Sequence, residues 1–164
     1  MSHQLCFWYK QLNLQVPSKV CANGGIFLWK DGREVPDTVD ALMVHGEDLM
    51  FTWDSAFGND ELSESENVLG TDGTIFCHEQ IRYRPQKVNR SDGTEILGRA
   101  IDHWQQHLDI AHVQNFLDCI RSGNEPNCPF ELGYRVALAC RMAVDSYRSG
   151  RMLRWDPVKE EIVG

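Results

Sequence analysis

This sequence holds no glycine-rich phosphate cradle. Neither GxGxxG after a strand nor GxxxxGK[ST] occurs, and the only Gly-Gly pair, Gly24-Gly25, sits between apolar, strand-like residues. HExxH, GxSxG and SxxK are missing too, so zincin, hydrolase-elbow and SxxK chemistry are not written in the chain. An excess of positive charge is also lacking. Lys and Arg number 16 against 24 Asp and Glu, a formal net charge of −8. Without surplus cations to displace counterions, a nucleic-acid partner is not expected, nor is an anionic membrane surface. No apolar run approaches the ~18 residues of a membrane helix. A basic, then apolar, secretory start is not visible, which points to the cytoplasm. CxxC pairs are absent as well. The six cysteines at 6, 21, 77, 119, 128 and 140 therefore read as reduced thiols in plain core or surface positions rather than as a disulfide frame or zinc site.

What is present is enough for a fold. The 164 residues suit a single domain over 1–164, and 5 Trp, 7 Phe and 4 Tyr supply apolar surface for a core. Leu5, Trp8, Tyr9 and Leu12 follow the i, i+3, i+4, i+7 rule, which predicts an amphipathic helix over 4–14, ended by Asn13 and Pro17. That helix is running by Gln4, as if the chain started inside an element. The period then changes to two. Strands are predicted over Lys19 to Ala22, Ile26 to Trp29, Thr38 to Val44 and around Leu49, Phe51 and Trp53, with His45 to Asp48 as a hairpin loop. Asn59 to Asn67 reads as an acidic surface loop. Thr71-Asp72-Gly73 is an Asp-Gly hairpin signal between Val68-Leu69-Gly70 and Thr74 to Cys77, and Ile81 to Tyr83 gives a further short strand. Residues 85 to 98 show no periodicity and read as a long loop.

Helix returns near His103. Val113, Phe116, Leu117 and Ile120 mark one face, and Gly123 is the expected C-terminal cap. A last helix is predicted from Phe130 to Ser149, with Leu132, Val136, Ala139, Cys140, Ala143, Val144 and Tyr147 as its apolar stripe, and a strand around Leu153 follows. Strands that run together between helices predict an α+β domain. Its sheet is largely antiparallel or mixed, covered by helices on one face and open on the other, and an open apolar face calls for a partner.

Several charged and polar residues invite chemistry. His103 and His107 are four apart and would share a helix face, which a metal could use as two ligands, but His112 falls well off that face. The simpler reading is a polar helix start, and no metal site is expected. Arg135 and Arg141, with Tyr134, could hold a carboxylate, although helix arginines more often pair with neighbours such as Glu131 and Asp145.

The tail HVQNFLDCIRSGNEPNCPFELGYRVALACRMAVDSYRSGRMLRWDPVKEEIVG, together with GREVPDT at 32–38, GTDGTIF at 70–76 and SHQLCFWYKQL at 2–12, resembles the C-terminal domain of the Gfo/Idh/MocA oxidoreductases, relatives of glucose–fructose oxidoreductase and inositol dehydrogenase, in their bacterial branch. The resemblance spans nearly the whole chain. It implies the dihydrodipicolinate-reductase-like C-terminal fold, an open-faced sheet that shapes a sugar-like substrate site and makes a homodimer or higher oligomer. NAD or NADP is then bound by a separate N-terminal domain with a glycine-rich loop and a Lys-Pro lysine. The prolines here follow Val, Val, Arg, Glu, Cys and Asp, so neither feature is in this chain and no cofactor-binding residue is assigned. The family's Asp-x-Gly-x-His-x-x-Asp-like motif lands on SHQLC. His3 takes the proton-transfer position, and Cys6 stands at the final Asp. An imidazole can take the proton of a hydroxyl that loses hydride, because it titrates in the useful range. The expectation is thus a substrate-side and dimerisation domain, inactive when isolated. The alternative is a module that pairs on its own through the open sheet face.

Overall fold

The computed structural model describes residues 1–59, 66–77, 80–86, 96–100 and 108–164. They form two compact units, one of residues 1–58 with 118–164 and one of residues 59–117. The architecture is α+β with antiparallel sheets, as the grouping of strands predicts. The strands divide between two sheets rather than filling one.

The first unit opens with α1 (Ser2–Leu12). Three of its four predicted stripe positions hold, with Leu5, Trp8 and Tyr9 buried, while Leu12 is exposed. Asn13 ends the helix in the left-handed region at φ 51°, where its short polar side chain is tolerated. The amides of Asn13 and Leu14 both bond the Tyr9 carbonyl. That turn tucks Leu14 into the core.

A five-stranded sheet follows, ordered β3-β2-β1-β8-β9, from β1 (Lys19–Gly25), β2 (Thr38–Val44), β3 (Met50–Ala56), β8 (Leu153–Asp156) and β9 (Glu161–Val163). Alternation sets its two faces. Val20 lies opposite Met43 and Ala22 opposite Ala41, and all four are buried. Leu153, paired with Val20, joins them. This face packs on α1 and on α3 (Phe130–Ser149), whose Leu132, Val136, Ala139, Met142 and Ala143 complete the core. The limits of α3 are those predicted, with Gly150 as its left-handed cap at φ 65°.

Four details depart from the sequence reading. Ile26 to Trp29 is a loop, not a strand. On α3 the buried positions include Met142 and Ser146, whereas Val144 is exposed. Ser146 is drawn in because β8 pairs with β1 only at Lys19 and Val20. Beyond that point the Ala22 amide donates to Ser146 Oγ at 2.9 Å, and Ser146 Oγ donates to the Arg151 carbonyl at 2.6 Å. A polar side chain thus replaces a missing rung of the ladder. The third departure is β9, which pairs with β8 and gave no signal of its own.

The second unit holds a four-stranded antiparallel sheet ordered β4-β5-β6-β7, from β4 (Glu66–Leu69), β5 (Gly73–Cys77), β6 (Gln80–Pro85) and β7 (Ile96–Ala100). The Asp72-Gly73 turn closes as predicted, with Gly70 N–H on the Gly73 carbonyl at 2.9 Å. Strand β7 is the fourth correction, since Ile96 to Gly98 fell inside the predicted loop. Helix α2 (Leu108–Ser122) ends at Gly123, φ 73°, whose amide bonds the Cys119 carbonyl. Residues 60–65, 87–95 and the pair His103 and His107 lie outside the described residues. No helix among the described residues is long and apolar enough to cross a membrane.

Candidate functional site

The most organised polar feature of the first unit is one carboxylate. Asp37 is buried just before β2 and collects the loop that follows β1. Its Oδ1 accepts the Phe27 amide at 3.0 Å and the Thr38 hydroxyl at 3.1 Å. Its Oδ2 accepts the amides of Leu28 at 2.8 Å and Trp29 at 3.0 Å. The backbone is fastened as well, Asp37 N–H to the Gly25 carbonyl and Phe57 N–H to the Asp37 carbonyl. These donors, the Trp29 amide first, hold the Asp37 carboxyl well below the usual carboxylate range, although desolvation pushes the other way. This is why Ile26 to Trp29 cannot pair as a strand: three of its amides are spent on one side chain.

The result is a braced loop that presents aromatic surface. Phe27 and Phe57 are each about two-thirds exposed. Trp29 stacks on Phe57, centroids 6.5 Å apart, and the Arg33 guanidinium lies 4.6 Å from the Trp29 ring centroid. Asp31 grips Arg33 through two bonds, at 2.8 and 2.5 Å, which draws the Asp31 carboxyl down to about 2. The sequence reading missed Asp37 as an organiser. The signal available was Pro36-Asp37-Thr38, an acceptor placed just before a strand.

His3 stands in the first turn of α1, exposed, without a hydrogen-bond partner among the described residues. The buried histidine is a different one. His45, in the β2–β3 hairpin, is 3% exposed. Its Nδ1 lies 3.1 Å from the Gln15 carbonyl, which can only accept, so Nδ1 carries the proton. Its Nε2 faces the Tyr9 hydroxyl at 3.5 Å, ring against ring edge. Burial pushes His45 down and Tyr9 up, so both stay neutral. Sealed from solvent, the pair joins α1 to the hairpin and reaches no substrate.

The predicted arginines part ways. Arg141 pairs with Asp145 at 2.6 Å on the surface. Arg135 donates instead to the Leu14 and Glu131 carbonyls, and Tyr134 stacks on Phe130. Lys10 donates to the Asn127 carbonyl at 2.6 Å. A cavity of about 200 Å³ lies between Lys10 and Arg135, smaller than the ~300 Å³ at which ligand pockets begin. Among the described residues no group of metal-ligating side chains converges.

The outer face of the five-stranded sheet carries several exposed side chains among the described residues. Cys21, Leu42, Val44 and Met50 form its exposed centre and one flank. Lys19 and Arg154 lie side by side toward one end, and Asp40 and Asp54 are opposite each other toward the other. A nucleotide cradle is not built here. Gly24 and Gly25 are rungs of β1 against Val39 and Thr38, and a side chain at Gly24 would strike the Thr38 carbonyl. The described residues therefore do not fit NAD or NADP.

No protein-family model matches the chain, and no curated protein matches it in sequence. Solved structures do match. Aldose-aldose oxidoreductase from Caulobacter crescentus, complexed with glycerol, aligns with TM-score 0.71 at 16% identity, over 93% of this chain and 45% of that one. UDP-N-acetylglucosamine 3-dehydrogenase from Acidithiobacillus ferrooxidans gives 0.72 at 14%, over 91% and 46%. An oxidoreductase from Agrobacterium radiobacter, in complex with NAD+, L-tartaric acid and magnesium, gives 0.67 at 16%, over 93% and 47%. The likeness is one of fold, and it agrees with the resemblance to the Gfo/Idh/MocA oxidoreductases. The chain spans about half the length of the structures it matches.

Proposed function

We propose that the chain is the substrate-side and dimerisation half of a cytoplasmic NAD(P)-dependent oxidoreductase that acts on a sugar, polyol or related hydroxylated compound. The observation that carries this reading is coverage: nine-tenths of the chain shares its fold with about half of each of several oxidoreductases. The remaining half would hold the nicotinamide cofactor. This chain would contribute His3, whose exposed imidazole would take the hydroxyl proton, and the braced loop of Phe27 to Arg33 as a wall of the substrate site. The isolated chain is then inactive. The test is to read the coding sequence upstream and assay the complete subunit. A glycine-rich strand–helix unit upstream, with activity on a polyol that falls at least tenfold in His3→Ala, is expected. A complete protein of 164 residues that binds NADH at micromolar concentration would overturn it.

The partner in this reading is a second copy. A two-fold axis across the strands of the outer face would set Lys19 and Arg154 of one copy against Asp40 and Asp54 of the other, with Leu42 and Val44 between. The same charge pattern favours the second reading, an assembly module that pairs alone. In sedimentation equilibrium, Leu42→Asp should shift the protein to monomer. An unchanged oligomer would remove this face from both readings.

A further inference from the structure

We propose that Cys6 and Cys128 are a redox-responsive pair, which a low-molecular-weight disulfide closes into a staple between α1 and the segment leading into α3. Their sulfurs lie 3.5 Å apart although the residues are 122 positions apart in sequence. A disulfide needs about 2.05 Å between sulfurs, so the two must approach by about 1.5 Å. The backbone is already held for it. Lys10, one turn beyond Cys6, donates to the carbonyl of Asn127, the residue before Cys128. Both cysteines are half-buried and pack on the edge of the core, unlike Cys21, which is exposed.

The chemistry is two exchanges. The thiolate of one cysteine attacks a sulfur of the small disulfide. A protein–small-molecule S–S bond forms, the oxidant's own S–S bond breaks, and one small thiolate leaves and takes up a proton. The second cysteine, deprotonated, then attacks the protein sulfur of the mixed disulfide. The Cys6–Cys128 bond forms and the second small thiol leaves. Two electrons pass from the pair to the oxidant, and excess thiol reverses both steps. Burial and the bond to Cys128 raise the Cys6 thiol, while the nearby Lys10 acts the other way. The exchange is therefore slow at neutral pH and quickens with alkali. The staple is independent of the oxidoreductase reading, since it needs nothing outside this chain.

The test equilibrates the full chain in glutathione buffers of graded oxidised fraction, blocks free thiols, and maps the peptides by mass. The expected result is a peptide joining Cys6 to Cys128, reversed by dithiothreitol, with Cys21 carrying at most a glutathione adduct. Closing so long a loop should raise the thermal midpoint by about 10 °C, and Cys128→Ser should lose both the link and the rise. The mapping on the unmutated chain decides the matter even where a variant folds poorly. Cys6 and Cys128 found free, separately glutathionylated or joined to other cysteines would overturn the proposal. A link without a rise in midpoint would overturn the staple.

Discussion

In the five-stranded sheet, Val20, Ala22, Ala41 and Met43 are sealed beneath α1 and α3. In the four-stranded sheet, Gly73 and Pro85 are the only buried residues among those whose burial is described. Yet the second sheet is no poorer in strand-forming side chains. Val68, Ile75, Tyr83 and Ile96 lie side by side across its four strands, one continuous apolar row. The first sheet has two helices whose apolar stripes match its inner face, so its alternation is converted into burial. Among the described residues the second converts less of it: Val68, Ile75 and Tyr83 are only partly buried, and Leu69, on the opposite face, is 81% exposed. Helix α2 likewise leaves Ile110, Val113, Phe116 and Ile120 exposed. Period two makes a strand, and a facing helix makes a core.

That contrast can be broken or sharpened by mutation. The largest effect is expected in the sealed layer. Leu5→Ala removes a side chain that is wholly buried, and should cost about 3 kcal/mol in urea unfolding. Leu69→Ala, on the open sheet, should stay within about 0.5 kcal/mol. Equal losses at the two positions would show that the second sheet has its own hidden core. Next is Asp37→Ala, which orphans three amides at once. It should lower the thermal midpoint by roughly 5 to 10 °C and open residues 26–36 to protease. A loop that stays resistant would mean the Trp29–Phe57 stack braces it without the carboxylate.

The smallest effect concerns pH. His45 is buried neutral, so the folded protein binds fewer protons than the unfolded chain, whose histidine titrates near 6.5. Its contribution to stability is therefore complete above that pH and is lost as pH falls through it. Between about pH 7 and pH 5 the stability of the unmutated chain should fall more steeply than that of His45→Gln. Parallel curves would show that His45 is not what couples the hairpin to α1 in acid. Asp37 behaves with the same sign at lower pH, its contribution being present above the ordinary carboxylate value of 3.8 and lost as acid is added below it.

Much of this architecture was legible before any coordinates. Pro129 and Gly150 bracket α3 because one cannot sit inside a helix and the other accepts the left-handed cap. Thr38 to Val44 read as extended from its apolar run, the strand of Phe51 and Trp53 from alternation, and Asp72-Gly73 as a turn from its chemistry. The misses share a cause. Ile26 to Trp29 has strand-like composition, but an acceptor ten residues away in Phe27's case takes its amides. Strands β7 and β9 have no pattern of their own and exist because β6 and β8 offer them an edge. On the site, His3 came from the resemblance, whereas Asp37, the buried His45 and the Cys6–Cys128 contact came from the structure.

The sequence by itself determined the order and kind of most elements and the acidic balance of charge. Those properties follow from periodicity, caps and composition, which are local. The tertiary structure alone decided which apolar faces are covered, which carboxylate organises a loop and which two of six thiols touch. Those depend on side chains brought together over tens of residues, and a one-dimensional pattern carries no record of that proximity.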